Sequence, residues 1–457
     1  MCGIVGVQGI ERAAEVAFMG LYALQHRGQE AAGIVTSSNG RAYLHRGIGQ
    51  VVEAFDDARI ASMPGRTALG HVRYSTAGGA GVANAQPILV RYHKGDLAVV
   101  HNGNITNAQM LRDELEQEGA LFQTTVDTET IVHLIARSRQ PSIDDQIREA
   151  LSRLVGAFTV LITVGDTLYC ARDPWGFRPL VIGRARGGWV AASETCALDL
   201  IGAQIACEPE PGSIMKIENG EFIDLEPLEP ARRSPCIFEL VYFARPDSRV
   251  WGASVDRARR AFGRQLAREQ PVDADCVFSV PDSSNSAALG FSEQSGIPYE
   301  LGLIRNHYVG RTFIHPSQKG RDFRVRIKYN TVREVIDGQR VIVVDDSLVR
   351  GTTSRGLIAL IREAGAKEIH FRVASPPVIS PCYYGIDMPT KEELIGARHS
   401  VEEIRQHIGV DSLGYLSLDG MHAAVAQYGP FCDACFSGNY AAPLVDLEMG
   451  RPATTRC

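Results

Sequence analysis

The run Val341-Ile342-Val343-Val344-Asp345-Asp346-Ser347-Leu348-Val349-Arg350-Gly351-Thr352-Thr353-Ser354 constrains this chain more than any other. Four β-branched residues in a row read as a strand buried on both faces, and such strands belong to parallel sheets flanked by helices. Two adjacent acids end the strand, and a hydroxyl- and glycine-containing loop then opens a helix. Carboxylates placed there lie beside sugar hydroxyls, while backbone N–H groups and a helix N-terminus receive a phosphate. The nucleotide-binding patterns G-x-x-x-x-G-K and G-x-G-x-x-G do not fit the stretch. The expectation is an α/β domain with a phosphate- and sugar-binding strand end.

Upstream, Asp275 to Val280 reads as a second buried strand, and Val280-Pro281-Asp282-Ser283-Ser284-Asn285-Ser286 joins it to a helix. That is the place for a pyrophosphate-binding loop, although a serine before a helix can equally be a cap. A basic segment covers Tyr308 to Ile314, including Arg311, and continues from Arg324 to Lys328. It fits either a solvated face or a loop that closes over phosphate and excludes water. The polar, proline-containing stretch Glu226 to Arg233 marks a boundary, giving domains at 1–230 and 231–457. With 457 residues, 45% of them hydrophobic, two cores are expected. A net charge of -6 supplies no basic footprint for nucleic acid. The capping-box spacing Ser400-Val401-Glu402-Glu403 therefore reads as the start of a short helix and not of a DNA reader.

The first 230 residues differ in texture. Short apolar runs such as Ile4 to Val7, Ala68 to Val72, Leu97 to Val100 and Phe158 to Ile162 alternate with helical patterns at Ala13 to Leu24, Ala108 to Glu118 and Thr128 to Ala136. This predicts packed antiparallel sheets with helices outside. Removal of Met1 leaves Cys2 with a free α-amine beside its thiol, and an amine of pKa about 8 can take the thiol proton near neutral pH. Alone, a second-position cysteine says little. His101-Asn102-Gly103-Asn104 ends the Leu97 to Val100 strand, so an amide and a backbone N–H can face an oxyanion there; the plain alternative is an Asn-Gly turn. Arg73, in His71-Val72-Arg73-Tyr74-Ser75-Thr76, can grip a carboxylate with two bonds, or be a surface arginine. Asp127 can bind an ammonium group, or cap the helix that follows.

Taken together, Cys-Gly-Ile-Val-Gly at the start, Gln25-His26-Arg27-Gly28-Gln29-Glu30, His-Val-Arg-Tyr-Ser-Thr and His-Asn-Gly-Asn resemble the glutaminase domain of the N-terminal-nucleophile amidotransferases. The resemblance implies a four-layer α/β/β/α sandwich, attack by Cys2 on the glutamine side-chain amide and an oxyanion hole at Asn102 and Gly103. It also implies that Arg73 and Asp127 hold the α-carboxylate and α-amine of glutamine. The Val341 to Ser354 run resembles the phosphoribosyl pyrophosphate (PRPP) signature of type I phosphoribosyltransferases. That likeness implies Asp345 and Asp346 at the ribose hydroxyls and at Mg²⁺, and Ser347, Gly351, Thr352 and Thr353 around the 5-phosphate. It further implies Ser283 near magnesium, and Arg311 and Lys328 on phosphate.

Ten cysteines in a chain of this length do not suggest a disulfide framework. Cys432 and Cys435 form a chelating pair, with Cys236 and Cys382 as distant additions; four thiolates suit either tetrahedral zinc or a four-iron cluster. The chain as a whole resembles the iron-sulfur type of glutamine PRPP amidotransferases, and this implies a structural [4Fe-4S] cluster on Cys236, Cys382, Cys432 and Cys435. Further implications are a homotetramer inhibited by purine nucleotides and ammonia passed internally between two sites. Cys170, Cys196, Cys207 and Cys276 read as core residues, and Cys457 as a frayed end.

The start has no signal-peptide pattern and no run can span a bilayer, so a cytoplasmic protein without membrane partners is expected. Two rival readings exist. An amidotransferase of the glucosamine-6-phosphate synthase kind needs a sugar-isomerase half, against the Val341 to Ser354 run. A PRPP-binding regulator without turnover has no use for Cys2 and His-Asn-Gly-Asn.

Overall fold

The computed structural model describes residues 1–74, 81–308 and 325–451. Its first half is a stack of two antiparallel sheets. The seven-stranded sheet runs Gln204–Cys207, Val181–Ala185, Gly188–Ala192, Gly3–Gln8, Thr67–Arg73, Ala31–Ser38, Arg41–Ile48. The six-stranded sheet runs Glu221–Asp224, Ile214–Glu218, Thr167–Arg172, Gly156–Val164, Gly95–Ile105, Ile88–Tyr92.

Side chains alternate faces along a strand, and Gly3–Gln8 shows the consequence. Ile4 enters the layer between the sheets with Leu69, Val100 and Leu161, while Val5 and Val7 face the helices Ala13–Ala23 and Thr195–Ile201. The second sheet is covered by Ala108–Gln117, Thr128–Arg137 and Ile143–Ser152. The central strands, such as Gly3–Gln8 and Thr67–Arg73, are buried on both faces, whereas the edge strands Arg41–Ile48 and Glu221–Asp224 are partly exposed and carry polar residues. The result is the four-layer α/β/β/α sandwich, with the N-terminus on a central strand.

The second half holds a four-stranded parallel sheet in the order Cys276–Ser279, Arg340–Asp345, Glu368–Val373, Ser412–Tyr415. Ile342 and Val344 pack with Phe262, Leu266 and Phe291 of the helices Val255–Glu269 and Asn285–Ser295. Val341 and Val343 pack oppositely with Leu357, Ile361 and Ile404 of Thr352–Glu363 and Val401–Ile408. Ser400 and Glu403 form the reciprocal cap expected from sequence, at 2.7 and 3.3 Å. Because the strands are parallel, the loops after Ser279 and Asp345 emerge at one carboxyl edge, where ligands of open α/β sheets bind.

Residues 225–235 carry no helix and almost no strand pairing. The C-terminal segment then folds back on the first half. Asp446, 2% exposed, accepts from the N–H groups of Gln109 and Met110 at 2.8 and 2.9 Å, capping the helix Ala108–Gln117 from across the chain. Tyr384 stacks on Phe177 with centroids 4.2 Å apart.

Candidate active sites

Two clusters carry the chemistry-bearing residues. In the first, the register of Gly3 with Val72 sets Cys2 opposite Arg73 on neighbouring strands, and the strand Gly95–Ile105 of the other sheet brings Asn102 over them. Cys2 N donates to Asn102 Oδ1 at 3.2 Å, and the Cys2 thiol donates to the Tyr74 carbonyl at 3.6 Å. Asn102 is fully buried, yet among the described residues its Nδ2 has no hydrogen-bond partner. A buried amide donor left unpaired is costly, so the group is suited to an oxygen that arrives with a substrate.

Gly103 follows with φ 154, and Gly385 of the second half (φ 100) presses on it so closely that an added Cβ at Gly385 would lie 2.8 Å from the Gly103 carbonyl carbon. No side chain fits either position. Asn104 Nδ2 extends the contact by donating to the Tyr383 carbonyl at 2.9 Å.

Asp127 stands at the cap position of Thr128–Arg137 but does not cap it. Its Oδ2 accepts instead from Ile105 N at 3.0 Å, and Oδ1 lies 3.5 Å from His101 Nδ1. Burial pushes this carboxyl up, but the His101 ring and the N–H bonds outweigh it and hold it below its ordinary value, so it stays anionic. Arg73 is 4% exposed. Burial, with Arg73 beside it, drives His71 down to about 3, so that ring is neutral.

Met1 is 1% exposed with its sulfur against Arg178 Nη1 at 2.7 Å, and burial lowers its amine to about 5. Beneath Cys2 lies a group that the sequence did not single out. Arg27 Nε donates to the Cys2 carbonyl at 2.9 Å, while its other nitrogens bond Glu194 at 2.5 Å and Glu239 at 2.8 and 3.0 Å. All three side chains are fully buried. Arg27 does lie inside a quoted motif; Glu194 and Glu239 sit in unremarkable apolar surroundings and gave no sign.

The second cluster is built on the strand end Asp345. Ser283 Oγ donates to Asp346 Oδ2 at 2.5 Å and Ser347 Oγ to Asp346 Oδ1 at 2.6 Å. Ser284, also missed, donates to Asp345 Oδ1 at 3.1 Å and to Asp346 Oδ2 at 3.3 Å. Burial and the neighbouring carboxylate push Asp345 well up, and burial raises Asp346. Such a pair gains from any ligand that brings hydroxyl donors or a cation. Gly351, φ 73, turns the chain into Thr352–Glu363, whose first two residues Thr352 and Thr353 are exposed. Lys328 lies near enough to act on Asp345, with Nζ 4.8 Å from the Tyr329 ring centre. Arg311 lies outside the described residues.

The structure also gathers the four cysteines named for a metal. Cys236 and Cys432 pair as a parallel bridge, with Ile237 N donating to the Cys432 carbonyl at 3.1 Å. Cys435 anchors Ile379 and Ser380 just before Cys382, and Cys236, Cys382, Cys432 and Cys435 lie close enough to perturb one another. Among the described residues, no three His, Cys, Asp or Glu side chains are disposed to hold a single metal ion. Cys170, Cys196 and Cys276 are buried, Cys207 is half-buried, and Cys457 is outside the described residues.

A four-layer α/β/β/α sandwich joined to a parallel α/β unit with an acidic strand end is the architecture of a glutamine-dependent transferase. Residues 71–200 match a family model described as a glutamine amidotransferase domain. The chain is 49% identical over 446 residues to the amidophosphoribosyltransferase of Bacillus subtilis strain 168, covering 96% of this chain and 94% of that one. It is 47% identical to that of Methanocaldococcus jannaschii, covering 96% and 97%. The solved glutamine PRPP amidotransferase of B. subtilis, complexed with ADP and GMP, superposes with a TM-score of 0.92 at 47% identity, covering 97% of this chain and 98% of that chain. The chain belongs to the amidophosphoribosyltransferase family. Among its described residues, no helix is long and apolar enough to cross a membrane.

Proposed function

We propose that Cys2 and the acidic pair Asp345–Asp346 are the two working ends of one enzyme, which takes nitrogen from glutamine and attaches it to PRPP. The overall reaction of the family is the glutamine-dependent amination of PRPP in purine biosynthesis, and this chain catalyses it: PRPP, glutamine and water give 5-phosphoribosylamine, glutamate and pyrophosphate. The observation that carries the residue assignment is the unpaired Asn102 Nδ2 buried beside Cys2, a donor waiting for an oxyanion.

With Met1 removed, the amine of Cys2 occupies the place where its N–H now meets Asn102 Oδ1, in the same buried surroundings beside Arg27. It takes the thiol proton while Sγ attacks the amide carbon of glutamine. The developing oxyanion is received by Asn102 Nδ2 and the Gly103 N–H, ammonia leaves with the proton, and water then hydrolyses the thioester to glutamate. Arg73 and Asp127 orient the amino-acid end of glutamine; an anionic Asp127 is what an ammonium group requires.

In the second cluster Asp345 and Asp346 bind the ribose hydroxyls. Ser347, Gly351, Thr352 and Thr353 receive the 5-phosphate, and Lys328 and Arg311 meet the pyrophosphate. Asp345, Asp346 and the Ser283 hydroxyl form an all-oxygen set that suits Mg²⁺, whose charge would stabilise the departing pyrophosphate. Ammonia forms a bond to C1 of the ribose as the C1–O bond to pyrophosphate breaks. Passing it internally keeps it from being protonated in water.

Cys236, Cys382, Cys432 and Cys435, brought together from three segments, are assigned a [4Fe-4S] cluster on the likeness to the iron-sulfur type of these enzymes; four thiolates alone suit zinc as well. Bound there, a cluster supplies a cross-link and no electron transfer. We assign the units to 1–230 and 231–457, a soluble cytoplasmic homotetramer, and purine nucleotides as inhibitors; the ADP and GMP in the B. subtilis relative support the last. The test is simultaneous measurement of glutamate and pyrophosphate release. Equal amounts of both, dependent on PRPP, are expected; glutamate release with PRPP left intact overturns the reading.

A further inference from the structure

The turn Glu239–Phe243 belongs to the second half of the chain, yet it touches the nucleophile of the first at two points. It is a five-residue π-turn, closed by the Ala244 N–H donating to the Glu239 carbonyl at 3.0 Å. Turns of this kind are rare, cost helix geometry and concentrate where something must be positioned. Glu239 at its start takes the paired bonds from Arg27, which holds the Cys2 carbonyl. Phe243 at its end meets Tyr74 edge-on with centroids 6.2 Å apart, and the Tyr74 carbonyl accepts from the Cys2 thiol. Both ends of the turn therefore reach Cys2 through one intermediate residue.

The other side of the same turn is held by Arg259, 2% exposed. Its Nε donates to the Leu240 carbonyl at 2.8 Å and its Nη2 to the Ala244 carbonyl at 2.7 Å. Its remaining nitrogen, Nη1, donates to the Ser283 carbonyl at 3.3 Å, and the Ser283 hydroxyl donates to Asp346. A continuous path thus runs from Asp346 through the half-buried Ser283, Arg259, the π-turn and Arg27 to Cys2.

We propose that Glu239 and Phe243 are positioning residues for Cys2, contributed by the transferase half, and that the turn transmits occupancy of the PRPP site to the thiol. The proposal rests on the two-site reading above and goes beyond it by naming the element that joins the sites. Ligand at Asp345 and Asp346 draws on Ser283, whose carbonyl fixes Arg259. Arg259 spans the turn, so its displacement shifts Glu239 and Phe243 against Arg27 and Tyr74. A charged, paired Arg27 cannot adjust singly because every nitrogen it uses is buried and bonded. The path becomes a coupling only if both ends bias the same element, which is a measurable property.

Glu239→Gln keeps the shape and gives up the charge that orients Arg27; Phe243→Leu removes the ring contact and leaves the charges intact. For wild type and each variant, the rate of Cys2 alkylation by iodoacetamide is measured with and without PRPP. Pyrophosphate release is measured with glutamine and, separately, with ammonia at high pH. In wild type PRPP is expected to change the alkylation rate severalfold, and no change overturns the inference. In both variants that response is expected to vanish and glutamine-dependent kcat/KM to fall roughly tenfold or more, with ammonia-dependent turnover within about twofold. Retention of the PRPP response, or glutamine- and ammonia-dependent turnover falling together, overturns the inference. A wild type that releases no pyrophosphate with glutamine overturns the two-site reading itself.

Discussion

Asn102 meets Cys2 with one end of its amide only: Oδ1 accepts from Cys2 N at 3.2 Å, while Nδ2 is buried without a partner among the described residues. The bond orients the amide, and the unpaired end gives it something to do. An Asn102→Ala variant is expected to lose about 10²- to 10³-fold in glutamine-dependent kcat, the usual cost of one oxyanion donor. Ammonia-dependent formation of product, which never uses that oxyanion, should change little. Steady-state rates with each nitrogen source check this, and an equal loss with both contradicts it.

The acid pair makes a prediction about stability as well as activity. Burial and the neighbouring carboxylate raise Asp345, and burial raises Asp346, so the ligand-free fold is strained by their charges. The sign follows from linkage. A carboxyl whose folded pKa exceeds its unfolded value of about 3.9 opposes folding above that folded pKa, and the penalty disappears as pH falls below 3.9. Asp345→Asn should therefore melt about 1–3 °C higher than wild type at pH 7 without ligand, and the difference should close towards pH 4. The same variant should lose product formation with glutamine and with ammonia alike. A lower melting point at pH 7 contradicts the account.

Much of this was legible in the residues, and the exceptions have physical causes. The strand ending in Asp345–Asp346 declared itself because a doubly buried strand must be apolar, so two acids at its end stand out. The Gly3–Gln8 strand and the helices Ala13–Ala23, Ala108–Gln117 and Thr128–Arg137 followed from periodicity with ends shifted by a residue or so. Asp127 was ambiguous in sequence because an acid before a helix is normally its cap; in the fold its side chain turns to Ile105 instead. Glu194 and Glu239 were invisible for a different reason. A buried charge is defined by its partner, and their partner lies far away in sequence: Arg27 is 167 residues from Glu194 and 212 from Glu239. Nothing local distinguishes such residues from surface charges. The cap given by Asp446 to the helix at Ala108 escaped notice in the same way.

The cysteine group can be tested by composition alone. Protein purified without air should carry about four irons and four sulfides per chain with a brown chromophore, and Cys435→Ser should lose both together. Colourless protein holding about one zinc per chain would contradict the assignment of Cys236, Cys382, Cys432 and Cys435 to a cluster.

The central claim is that a single thiol frees nitrogen for a separate, self-sufficient transfer site. It is tested most directly by Cys2→Ala, assayed for glutamate and pyrophosphate release with glutamine and then for pyrophosphate release with ammonia at high pH. Complete loss of turnover with glutamine, alongside ammonia-dependent turnover close to that of wild type, is the predicted result. Glutamine turnover that survives the loss of the thiol would contradict the account.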